Sequence, residues 1–320
     1  MTKETSNLGP RLSRKDFLKG SAAAAGVIAA GGIPGLLGGG AAHAATQIMR
    51  AIPRTGEKIP VIGVGTAWIY DVEPGDPKMP ILKATLDTFV KSGGGVIDSS
   101  PTYGRAEPVV GQLLAELGAR DKAFIATKIS TFGEQEGIAQ VEASMQRLRT
   151  TKFELLQVHN IKDTKTQLKT IRRLREEGKV KYIGITVSSK RRYERFIKVM
   201  ESEPLDFVQV NYSLGQPDTA ERILPLARDK GMAVLINRPF WKGRLFRKAK
   251  GKKLPDWAAE FDCKSWAQFF LKFSVGHPAV TAAIPGTDRP EYMVDNLAAG
   301  RGRMPDEKTR AKMLAYWQSL

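Results

Sequence analysis

Eight short β-rich runs recur along most of the chain, at residues 61–65, 95–99, 123–128, 154–159, 182–187, 206–211, 232–237 and 280–285. Each is continuous in apolar character, as strands buried on both faces are, whereas half-exposed strands alternate. Between them lie stretches with helical spacing, such as MPILKATLDTFVKSG, TQLKTIRRLREEG and TAERILPLARDKG, and many of these stop at glycine. Eight strands with intervening helices in about 275 residues match the arithmetic of a (β/α)8 TIM barrel, for which about 250 residues is typical. A doubly wound sheet is the competing architecture, but no strand-turn-helix carries G-x-G-x-x-G: VIGVG is followed by Thr66, Ala67 and Trp68. Residues 47–61 read as an N-terminal β-hairpin ahead of the barrel.

The first 44 residues do not fit this alternation. A basic stretch, RLSRKDFLKG, precedes a Gly/Ala-rich apolar run that ends in Ala42, His43 and Ala44, a small-x-small cleavage pattern. That is the layout of an export signal, and the run is too glycine-rich for a stable membrane span. The segment SRKDFLK resembles the twin-arginine signal, with Lys15 at the second arginine. The expected organisation is therefore a signal over residues 1–44 and a barrel over 45–320. The resemblance implies a chain handed to the export machinery and placed in the periplasm, or cytoplasmic if the signal is not used.

The net charge of +17 is spread over several basic runs. None interleaves cations with aromatics in a stripe, so a solvated basic surface is expected, with no nucleic-acid partner. The single cysteine, Cys263, excludes an intrachain disulfide.

In a barrel of this kind chemistry sits at the C-terminal ends of the strands. The second strand ends in Asp98, the third in Lys128, the fourth in His159 and Asn160; the fifth leads into Ser188 and the sixth offers Gln209 and Asn211. Tyr103 follows Asp98 within the turn SSPTYG. Singly each has a structural explanation; jointly they bring a carboxylate, an ammonium, an imidazole and a phenol to one mouth. A nearby ammonium favours phenolate and is expected to lower the tyrosine pKa, while a carboxylate keeps a desolvated lysine charged. His159 would orient a carbonyl oxygen. No side chain supplies the reducing equivalent, which a nicotinamide cofactor would.

On these residues the chain resembles the aldo-keto reductases. The family's D-x-x-x-x-Y-G segment is matched by Asp98 to Gly104, its lysine strand by IATK, and its histidine strand by LLQVHN. The resemblance implies Tyr103 as proton donor, with Lys128, Asp98 and His159 as its catalytic partners. It also implies cofactor contacts at Asn160, Ser188 and Gln209, at Pro239, Phe240, Lys242 and Gly243 after the seventh strand, and at Gly286, Thr287, Arg289 and Asn296 after the eighth. Trp68 and Tyr70 are expected to wall the substrate side. The implied reaction is reduction of a small aldehyde or ketone to an alcohol, with NADPH favoured because Arg289 could pair with its 2′-phosphate; NADH stays open.

The chain departs from the family pattern at Asn237, where many members carry an aromatic residue that stacks on the nicotinamide, and at Gly286 and Tyr292, where many NADPH users carry a lysine and an arginine. The first departure keeps a cofactor-binding accessory or sensing subunit with little turnover as the alternative. An isomerase barrel without a redox cofactor would leave the Asp/Tyr/Lys/His set unexplained.

Overall fold

The computed structural model describes residues 46–320, so the export-signal reading of residues 1–44 lies outside the described residues. A hairpin opens the structure: β1 (Met49–Ala51) pairs antiparallel with β2 (Lys58–Pro60), Met49 facing Pro60.

All eight expected strands form, and all pair in parallel. They are β3 (Val64–Gly65), β4 (Val96–Asp98), β5 (Phe124–Ile129), β6 (Phe153–His159), β7 (Val180–Thr186), β8 (Phe207–Asn211), β9 (Ala233–Asn237) and β10 (Ala282–Ala283), in that order round the sheet. Isolated bridges from Ile62 to Ala283 and from Gly65 to Gly286 join the first strand to the last. That closure needs a close backbone approach. A Cβ on Gly65 would stand 2.8 Å from the Ile284 carbonyl oxygen, so the glycine that ends VIGVG serves the seam of the barrel.

The helices in chain order are α1 (Met79–Lys91), α2 (Ala106–Glu116), α3 (Glu134–Leu148), α4 (Thr164–Glu176), α5 (Tyr193–Ser202), α6 (Thr219–Asp229), α7 (Arg244–Ala249), α8 (Trp266–Val275), α9 (Pro290–Ala298) and α10 (Glu307–Ser319). Among the described residues no helix is long and apolar enough to cross a membrane.

The period of two along each strand divides the core into two layers. Ile97, Ile125, Leu156 and Val208 point outward into a large cluster against the helices. Val96, Phe124, Ala126, Leu155, Phe207 and Leu235 point inward, joined by Ile52 and Ile59 of the hairpin. Phe124, Tyr182 and Phe207 form an aromatic group there, with ring centroids 5.5–6.1 Å apart. The same alternation carried towards the C-terminal ends turns Asp98, Lys128, Gln157, His159, Gln209 and Asn237 inward too. Apolar residues thus fill the hairpin end, and polar ones gather at the opposite mouth.

Candidate active site

A cleft of about 460 Å³ opens at that mouth. Asp98 lines it, and Lys128, 1% exposed, lies beside Asp98. The ammonium donates to both carboxylate oxygens, at 2.8 and 2.9 Å, and to the Ser99 carbonyl at 2.6 Å. Burial works against both charges, pushing the Asp98 carboxyl up and the Lys128 ammonium down. For Lys128 burial is the largest single effect, but the charges and hydrogen bonds of Asp98 and Tyr103 together outweigh it, and its pKa ends above the ordinary lysine value. Such a bidentate, three-bonded ammonium is how a fully buried lysine stays charged.

Tyr103 enters from the turn after β4, its ring centroid 5.1 Å from Lys128 Nζ. Gly104 shapes that turn. Its φ is +57°, and a Cβ there would fall 2.2 Å from the Asp71 carboxylate, which accepts the Arg105 N–H at 2.9 Å. The expectation of a lowered Tyr103 pKa is reversed: burial raises it, Lys128 pulls it down, Asp98 raises it, and the net shift is upward. Burial is the physical reason, and Asp98 adds to it by cancelling at the phenol part of the charge that it stabilises on the lysine.

His159 faces Tyr103 edge-on, with centroids 5.9 Å apart. Its Nδ1 lies 3.3 Å from Ser100 Oγ and 3.4 Å from Thr102 Oγ1, so hydroxyls of the same turn occupy that nitrogen and leave Nε2 for a ligand. Burial first, then the positive charges of Lys128, Arg192 and Lys162, push the imidazole down to about 3. It is neutral at neutral pH.

Across the cleft, Ser188 is fixed from two elements. Its carbonyl accepts from Asn211 Nδ2 at 3.2 Å and from the Arg238 guanidinium at 2.6 Å, and Arg238 also donates to Ser188 Oγ at 3.0 Å. Arg238, at φ +50°, was absent from the sequence-derived set, although it directly follows the seventh barrel strand. Asking for the residue after each strand end would have found it. Asn237 donates to the Val187 carbonyl at 3.0 Å and keeps its own Oδ1 buried without a partner.

The cleft is also lined by Trp68, Asn160, Pro239, Phe240, Lys242, Gly243 and Gly286. Phe240 belongs to an aromatic group with Phe246 and Phe270, while Trp241 turns away and packs on Gly215 and Arg244. Lys242 Nζ sits 5.2 Å from the Trp68 ring centroid, so the loops after β3 and β9 meet over the opening. Four expected cofactor contacts are not part of the lining. Gln209 is buried against Asp98, whose carboxylate it helps to hold. Thr287 accepts from Asn296 Nδ2 at 2.7 Å, and Arg289 stands at the start of α9, 4.0 Å from Glu291.

Tyr70 does not wall the substrate side. It is wholly buried, packed in the outer core with its hydroxyl unpartnered. The turn after β3 explains it: Trp68 takes a positive φ of 62°, and the Ile69 and Tyr70 N–H groups both bond back to the Thr66 carbonyl. That tight turn leaves Trp68 outside, 67% exposed, and folds Tyr70 inward.

The Aldo/keto reductase family model matches residues 61–311. Among curated relatives, the Bacillus subtilis aldo-keto reductase YhdN is 27% identical over 227 residues, and the alignment spans 66% of each chain. A Strobilurus tenacellus aldo-keto reductase is 26% identical over 295 residues, 78% of this chain and 84% of the relative. In fold the chain is similar to a Klebsiella pneumoniae aldo-keto reductase solved with NADPH, with a TM-score of 0.72 at 22% identity, covering 85% of this chain and 95% of that one. A glycerol dehydrogenase from Gluconobacter oxydans aligns with a TM-score of 0.70 at 21% identity, with the same coverage. With the match running through every barrel strand and the tetrad's own segments, the chain belongs to the aldo/keto reductase family.

Proposed function

We propose that the protein is an NADPH-dependent reductase of small aldehydes or ketones, with Tyr103 as proton donor. One observation carries this reading: a buried Lys128–Asp98 pair, a phenol and a neutral imidazole meet in one cleft. The cleft also fits a nicotinamide nucleotide. Asn237 Oδ1 is a buried acceptor with no partner, as a carboxamide NH2 requires, and Arg238 and Lys242 offer positive charge near Gly243 and Gly286 for a pyrophosphate. Bound there, the cofactor supplies hydride to the carbonyl carbon.

The side chains account for the rest. A neutral His159 with Nε2 protonated donates a hydrogen bond to the carbonyl oxygen and orients it. Tyr103 delivers its proton to the oxygen as negative charge builds there; an alkoxide is far more basic than a phenolate, so a raised tyrosine pKa does not stop the transfer. Lys128 meets the charge left on the phenolate, an interaction stronger after transfer than before it. Asp98 keeps that ammonium charged and in place.

A purified sample titrated with NADPH and NADH by fluorescence, then assayed on an aldehyde and ketone panel, tests the reading. Micromolar NADPH binding with steady turnover supports it. Binding without reduction of any carbonyl would favour the sensing subunit, for which the non-aromatic wall at Asn237 is the specific motive. Residues 1–44 we assign as a twin-arginine export signal, a route that carries folded proteins and so lets the barrel load cofactor before it leaves.

A further inference from the structure

His159 is a wall shared by two hollows. On its far side lies a second one of about 660 Å³, framed by the loops after β5, β6 and β7, with Phe132, Lys162, Asp163, Arg192 and Arg195 around it. Three cations face one carboxylate. That carboxylate is already engaged, since Asp163 accepts the Gly133 N–H at 2.9 Å.

Among the described residues, the two arginines are not. No carboxylate among the described residues lies within ion-pair distance of Arg192, Arg195 or Lys162. Glu194, between the two arginines, is taken by Arg222 at 2.5 Å, and Glu134 by Arg173 at 2.8 Å. Lys162 donates to the Ser130 carbonyl at 3.1 Å and lies 4.6 Å from the centroid of Phe132, a ring 65% exposed. The charge of Arg192 and Lys162 is felt at the His159 imidazole, so the two hollows share one electrostatic field. On the reading proposed above, the cofactor's own phosphates fall to Arg238, Lys242 and Gly286, which line the first cleft on the loops after β9 and β10.

We propose that this second hollow is an oxyanion subsite: the carbonyl compound reduced at Tyr103 carries a carboxylate or phosphate that Arg192, Arg195 and Lys162 bind, with Phe132 flanking the carbon chain between the two groups. The inference rests on the reductase reading for its substrate, but not for the binding site itself. Guanidinium pairs suit planar and tetrahedral oxyanions alike, and a charge-assisted contact of this kind is worth about tenfold or more in affinity.

The test compares kcat/KM at low salt within two pairs, 4-formylbenzoate against its methyl ester and glyceraldehyde 3-phosphate against glyceraldehyde, for the wild type and Arg192→Gln/Arg195→Gln. The wild type should prefer the anionic member of at least one pair by about tenfold, mainly through KM. The pair showing the preference tells carboxylate from phosphate. In the double variant the preference should collapse while the neutral compounds keep their rates. Calorimetric binding of 4-formylbenzoate, glyceraldehyde 3-phosphate and their neutral partners to the Tyr103→Phe protein reads the subsite without turnover. Anion binding there with no reduction by the wild type would count against the reductase reading alone. Equal binding of anion and neutral partner in both pairs, or a double variant that loses both equally, would overturn the subsite.

Discussion

Tyr103 can give up its proton only where a positive charge meets the phenolate left behind, and Lys128 brings that charge to 5.1 Å from the ring centroid. Replacing Tyr103 by phenylalanine removes the proton but leaves the cleft wall, so kcat should fall by about 10²–10⁴-fold, with NADPH affinity within a few-fold of wild type by fluorescence titration. His159 makes a different prediction. Because its imidazole stays neutral down to about 3, the pH profile of kcat/KM should show no histidine step between pH 5 and 8. A step near pH 6.5 that disappears in His159→Gln would refute the neutral imidazole. Asp98, Lys128 and His159 were legible in the sequence because each ends an apolar run, where the barrel's geometry puts chemistry. Tyr70 was not, since whether a residue after a strand faces out or in depends on a single backbone angle, here the positive φ of Trp68.

Barrel elements are held in register by side chains that never reach the cleft. Glu107, from the same YGRAE segment as Tyr103, is 1% exposed and ties three elements together. It accepts from Thr127 Oγ1 of β5 at 2.7 Å, and from Ser144 Oγ and Arg147 Nε of α3 at 2.9 and 2.8 Å. Glu107→Ala would leave these donors without their acceptor and should cost about 3–5 kcal/mol in denaturant unfolding. At the seam, Gly65→Ala forces a methyl against the Ile284 carbonyl, and a loss of about 1–3 kcal/mol is expected in the same measurement. The strands themselves were readable from continuous apolar runs, because a parallel sheet is covered on both faces. The shortness of β3 and β10, two residues each, was not readable, because it follows from how the ends meet at closure.

At the scale of the whole molecule, two histidines set the acid side of stability. His159 is held at about 3 and His277 at about 4, the latter by burial and then by Arg310, Arg50 and Arg228, against an ordinary value of 6.5. Both pKa values are depressed, so below pH 6.5 the unfolded chain binds more protons than the folded one, and stability falls as the pH drops. Between pH 7 and pH 5 each should remove about 1–2 kcal/mol, measurable by urea unfolding, and the slope should halve in His277→Gln. Export is tested by the mature N-terminus: cleavage after Ala44 leaves Ala45 first, whereas a retained Met1 or Thr2 in the cytosol would discard the signal. The reductase itself is tested most directly by isotope. With NADPH carrying deuterium at both C4 positions, the alcohol formed from a reduced aldehyde should hold one carbon-bound deuterium per cofactor oxidised, by mass spectrometry. Cofactor consumption without carbon-bound deuterium, or no alcohol at all, would contradict hydride transfer at this site.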